Sequence, residues 1–112
     1  MANQTLDIFI REALNRGETR PRISTALIAA GWMALSRDRG TARQPLDQGY
    51  GLVCDLDGRP FPDLIVVDTH QEHGVIAHRS GGKVPSLPVG TRLRILPNHA
   101  CATAAQHSEY QV

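Results

Sequence analysis

Between Tyr50 and His78 the chain repeats one pattern, a short apolar run rich in β-branched residues followed by a break. "YGLVCDL" is followed by the turn and short connection "DGRPFPD", "LIVVDT" leads into "HQE", and "HGVIAH" gives way to "SGGKVPSLPVG". Short runs of Val and Ile bounded by Gly, Pro and Asp are the sequence form of strands joined by turns. Upstream, "ISTALIAAG" reads as a further strand closed by Gly31, with "WMALS" continuing it and "RDRGTARQPLDQG" a polar loop. Downstream, "TRLRILP" alternates, with Leu93 and Ile95 on one side and Arg92 and Arg94 on the other, the mark of a half-buried strand. "ATAAQHSEY" reads as a helical turn or two. Only the start of the chain has helical spacing: in "NQTLDIFIREALNRG", Leu6, Phe9, Ile10, Ala13 and Leu14 share one face. Asn3 or Thr5 is placed to cap that helix and Gly17 to end it. The expected fold is therefore mainly β, a small β-barrel or sandwich with one N-terminal helix packed on it.

A length of 112 residues predicts a single domain spanning 1–112. With 4% aromatic residues the core must be built from Val, Leu, Ile and Ala. No apolar run approaches the roughly 18–20 residues of a membrane span, and the N-terminus lacks the basic start and apolar block of a secretory signal. Cys54 and Cys101 are too few for a disulfide framework, so both read as free thiols in a reducing compartment, and the expected location is cytoplasmic. The net charge of +1, without basic runs or interleaved aromatics, argues against nucleic acid. Eleven of the twelve basic residues are arginine, leaving Lys83 alone in the loop "SGGKVP". A Schiff-base lysine needs desolvation and a rigid mount, and Lys83 is expected to have neither.

Two groups of residues carry possible chemistry. In "LPNHACAT", His99 and Cys101 stand one residue apart. Pro97 disfavours a helix at Leu96, so "PNHAC" is expected to be extended or looped, a geometry in which imidazole and thiolate can converge on one ion. The ordinary alternative is a surface histidine beside a half-buried cysteine. No second cysteine pair completes a structural zinc site, and Cys54, inside a strand, reads as a buried, inert thiol. In "HQEHG", Glu72 is placed to orient His73 or another ligand, or else His70, Glu72 and His73 simply enter a hairpin before Gly74. Arg39, Gly40, Gly49, Tyr50 and Gly51 are too sparse to spell a phosphate loop.

Taken together, "AGWMALSRDRGTARQ", "GYGLVCD", "QEHG" and "GTRLRILPNHACAT" resemble the C-terminal region of D-threonine aldolases, which stand with D-serine dehydratases in the alanine-racemase-like class of pyridoxal phosphate enzymes. The resemblance runs from Ala29 to Tyr110. It implies a family-like β domain over 29–112, with a helical lead-in over 1–20 unlike the family. The family architecture it implies is a pyridoxal phosphate barrel followed by such a β domain, whose His-x-Cys or His-x-Asp pair binds a divalent ion beside the cofactor. By that resemblance His99 and Cys101 are the metal ligands, for zinc or manganese. The ion would act on the β-hydroxyl of a D-β-hydroxy amino acid ahead of retro-aldol cleavage to glycine and an aldehyde. A barrel takes at least about 200 residues, so pyridoxal phosphate is not expected on this chain and the chain alone is expected to be inactive. Partner expectations are a homodimer and, for catalysis, a separate barrel chain. The rival expectation is a free-standing, non-enzymatic β module that self-associates.

Overall fold

Five strands and two single-turn helices account for the regular structure of residues 25–112, the part of the chain that the computed structural model describes. The expected N-terminal helix lies outside the described residues. In chain order the elements are β1 (Thr25–Ile28), α1 (Trp32–Leu35), β2 (Gly51–Cys54), β3 (Pro60–Thr69), β4 (Gly74–His78), β5 (Arg94–Pro97) and α2 (Ala100–Ala104). All ladders are antiparallel, and the sheet order is β1-β4-β3-β2-β5. The central β2-β3-β4 meander follows directly from the repeated strand–turn pattern, and β1 and β5 extend it at its two edges.

The mainly β expectation holds, but the sheet is single and is not closed into a barrel. β1 and β5 are only four residues long and do not pair with each other. Both edges instead line one apolar cleft of about 290 Å³, walled by Ala26, Ile28, Leu93, Ile95 and the 87–91 loop. The core lies on one face, where Val53, Leu64, Val66 and Ile76 are buried together with Leu35 of α1. Cross-strand partners on that face are Val66 with Ile76 and Val53 with Ile95, the pairing unit that stabilises a sheet. A register shift between Val66 and Asp68 leaves Val67 partly exposed and returns Thr69 to the buried face.

"WMALS" does not continue β1. The β1–β4 ladder ends at Ile28 opposite Gly74, where β4 begins. Beyond it the chain meets the β3–β4 turn: Trp32 N–H donates to the His70 carbonyl (2.8 Å) and Met33 N–H to that of Gln71 (3.2 Å). The backbone then coils into α1 and sends Leu35 into the core. β3 also starts earlier than the apolar pattern suggests, at Pro60, because its first residues pair with β2 at Cys54.

Candidate metal centre

Pro97 closes β5 opposite Gly51, and the chain leaves the sheet at Asn98. The Asn98 backbone N–H donates to the Tyr50 carbonyl (3.3 Å) and its side-chain amide to the Gly49 carbonyl. His99 is extended (φ −123°, ψ 96°) and precedes α2, its carbonyl accepting the first helical bond from Thr103 N–H at 3.1 Å. The expected extended run through "PNHAC" thus stops at His99, and Cys101 sits in the first turn of α2. Pro97 restricts the residue before it, not those after it, and "ACATA" is free to coil. Cys101 is exposed and the His99 side chain is 44% exposed, so both donors face solvent.

His99 has a partner that no local pattern announced. Its ring Nδ1–H donates to the carboxylate of Asp38, 61 residues upstream in the loop after α1. Two contacts and a turn bring the two segments together. The Thr103 hydroxyl donates to the Leu35 carbonyl at 2.6 Å, the His107 ring to the Ala34 carbonyl at 3.1 Å, and the chain reverses at Ser36, which has a left-handed φ of 77°. The Ser36 hydroxyl then accepts the Asp38 N–H at 3.2 Å. Next to Asp38, Arg39 forms an ion pair with Asp47 and lies 5.4 Å from the centre of the Tyr50 ring. Segment 47–50 therefore anchors both sides of the pair, Arg39 beside Asp38 and Asn98 beside His99. It is itself fixed to β3 by the bond from Tyr50 N–H to the Val66 carbonyl (2.8 Å), and Arg79 of the β4 end donates to Gln48 Oε1 at 2.9 Å.

The other sequence candidates lie elsewhere. His70, Glu72 and His73 occupy the β3–β4 turn, closed by the His70 N–H to His73 carbonyl bond (2.8 Å). His70 faces Asp68 at 3.7 Å and Glu72 is exposed, so this is the hairpin entry of the plainer reading. The carboxylate that contacts the candidate ligand His99 is Asp38, not Glu72. Cys54 is fully buried in β2, and burial, aided by the neighbouring Asp55 charge, pushes its thiol pKa up, which keeps it protonated and unreactive. Lys83 is exposed in the 79–93 loop, which does not fit a Schiff-base lysine, and no chemistry through pyridoxal phosphate is assigned to these residues.

A divalent ion, by contrast, fits. Imidazole and thiolate are ligands of the right softness for zinc and its neighbours. With Nδ1–H committed to a carboxylate, the Nε2 lone pair of His99 is the free donor, the usual arrangement of a metal-bound histidine. Among the described residues no three His, Cys, Asp or Glu side chains group where they could hold an ion, so a site at His99 and Cys101 would have at most those two protein donors. Such an ion would keep open positions for water or substrate, as catalytic rather than structural sites do.

Comparison with known proteins agrees with the resemblance read from the sequence. Residues 16–112 match the family model described as "Putative serine dehydratase domain", and the chain belongs to that family. It is 57% identical over 90 residues to the D-threo-3-hydroxyaspartate dehydratase of Delftia sp. (strain HT23), covering 77% of this chain and 24% of that enzyme. The solved structure of that dehydratase superposes with a TM-score of 0.74 over 79% of this chain at 55% identity. The D-serine dehydratase of Dictyostelium discoideum is 30% identical over 97 residues, covering 82% of this chain and 23% of its own length. The chain thus spans about a quarter of the length of the curated relatives it matches. Structures of two variants of the Delftia enzyme are also similar, one with a histidine replaced by alanine and one, in the metal-free form, with a cysteine two positions later so replaced.

Proposed function

We propose that this chain is the metal-holding β domain of a lyase acting on D-3-hydroxy amino acids, with His99 and Cys101 as the two protein ligands of a divalent ion. The observation that carries the reading is His99 held at Nδ1 by Asp38, two residues from an exposed Cys101. It is supported by the Delftia dehydratase, whose replaced histidine and cysteine have the same spacing and whose cysteine variant was solved in a metal-free form. A bound ion supplies a Lewis acid for a substrate oxygen such as the β-hydroxyl. The chain's own part is to hold that ion with two donors, to orient His99 through Asp38, and to leave the remaining positions open toward the solvent side of α2. The sequence reading puts retro-aldol cleavage first, whereas similarity to two dehydratases favours loss of the β-hydroxyl as water. Pyridoxal phosphate, as in the family the sequence resembles, would come from a barrel on the same polypeptide or on a separate chain, and residues 1–112 alone release no product.

The test has two parts. Zinc and manganese binding to the wild type, His99→Ala and Cys101→Ala is measured by calorimetry; one equivalent of tight zinc lost in both variants is expected, and equal binding by all three contradicts the reading. The protein isolated with whatever copurifies from its source is then given D-3-hydroxyaspartate, D-serine and D-threonine. A 2-oxo acid with ammonia marks elimination, while glycine with an aldehyde marks cleavage.

A second reading is favoured by the open sheet. β1 and β5 leave strand edges unpaired among the described residues, Leu96 is 53% exposed, and the apolar cleft lies between those edges. Exposed edges and apolar clefts are commonly covered by association. We infer that the chain self-associates as a homodimer, with or without catalysis; a monomer by sedimentation at high micromolar concentration contradicts this.

A further inference from the structure

We propose that Asp38 is a positioning residue for the metal centre, selecting the ring nitrogen through which His99 binds; the proposal rests on the metal-centre reading above. A neutral imidazole has one N–H. The Asp38 carboxylate, an acceptor only, takes that hydrogen at Nδ1 and leaves the lone pair on Nε2. The pairing is not a chance meeting of two long side chains. Asp38 follows Ser36, whose left-handed φ of 77° reverses the chain, and precedes Arg39, which is tied to Asp47 and Tyr50. His99 follows Asn98, which is tied to Gly49 and Tyr50. The neighbours of both partners are thus tied to one segment, 47–50, which brings the two side chains together. The side chains remain 44% and 47% exposed, so as an ion pair alone the contact contributes little to folding. Its effect falls on ligand orientation and basicity, where carboxylate partners of metal-bound histidines change metal affinity 10- to 100-fold.

The experiment compares zinc affinity, by competition with a chromophoric chelator, for wild type, Asp38→Asn, Asp38→Ala and His99→Ala, alongside long-range 1H–15N correlation of the His99 ring in the metal-free protein. The expected spectrum shows the hydrogen on Nδ1 in the wild type and a mixed or Nε2–H form in Asp38→Ala. Zinc binding is expected to weaken roughly 10- to 100-fold in Asp38→Ala at an unchanged thermal midpoint. Asp38→Asn keeps an acceptor for the same hydrogen and is expected to weaken it less. Wild-type affinity in Asp38→Ala, or an Nε2–H ring in the wild type, overturns the proposal while the metal centre stands. A wild type that takes no zinc, or a His99→Ala protein that binds as the wild type does, defeats the metal-centre reading instead.

Discussion

Gly49 carries the segment that anchors the candidate site, and replacing it by alanine separates two effects that glycine substitutions usually mix. Its φ is +60°, and a Cβ built on it would stand 2.3 Å from the Val66 carbonyl oxygen, which accepts the Tyr50 N–H bond. A left-handed alanine costs about 1 kcal/mol. Moving the segment away from a backbone oxygen it cannot displace breaks the Tyr50–Val66 bond and strains the Asn98–Gly49 bond, for about 1 kcal/mol each. The total is about 3 kcal/mol, a large part of the 5–15 kcal/mol typical of small domains. Gly58 is the control: its φ is +82° and nothing lies within 4 Å of its Cβ, so Gly58→Ala meets only the backbone penalty of about 1 kcal/mol. Urea unfolding followed by far-UV circular dichroism reads both, and with an m-value of about 1–1.5 kcal/mol/M the midpoints should fall by about 2 M and by under 1 M. Equal losses in the two variants would refute the argument that close approach to β3 is what demands glycine at position 49.

Further outcomes follow from the same geometry. Ser36→Gly relieves a backbone at φ 77°, ψ 171° that suits glycine, worth about 1–3 kcal/mol. It also loses the hydroxyl that accepts the Asp38 N–H, worth about 0.5–1 kcal/mol at this exposed site, so a modestly higher thermal midpoint is expected. Labelling with a chromogenic disulfide should release one fast equivalent from exposed Cys101 and a second from buried Cys54 only on unfolding, and zinc should protect the fast one. The raised pKa of Cys54 means that the folded state holds this proton more tightly than the unfolded state. Its contribution is therefore complete below 9.0, the ordinary thiol value, and is lost as pH rises from there through the folded pKa. Cys54→Ala should flatten that alkaline decline in urea midpoints. Thr103→Val removes the hydroxyl that ties α2 to the Leu35 carbonyl and should lower stability by about 1 kcal/mol, measured by urea unfolding.

Much of the sheet was legible because its signals are local. Strand β5 and the residue before it show alternation in Leu93, Arg94 and Ile95, the β3–β4 turn announces itself in "HQEHG", and Cys54 sits in an apolar run that could only be interior. What escaped the sequence depends on contacts between distant segments. Trp32 to Leu35 has the composition of a strand end and coils because His70 and Gln71 carbonyls meet it. Openness of the sheet is a matter of which distant strands meet, and β1 and β5 lie at its two ends without pairing. His99 and Cys101 were singled out as candidates by spacing and by resemblance. Asp38 was not, since an aspartate in a polar loop carries no mark of a histidine 61 residues away. Its neighbour Arg39, noted only as part of a weak glycine pattern, turns out to anchor it through Asp47 and Tyr50.

X-ray absorption at the zinc edge of the loaded protein tests the central claim most directly. The account predicts one sulfur scatterer at about 2.3 Å and one imidazole nitrogen at about 2.0–2.1 Å, with light atoms filling the other positions and the sulfur gone in Cys101→Ser. A shell of oxygen and nitrogen alone in the wild type, or a sulfur signal that survives that substitution, would contradict it.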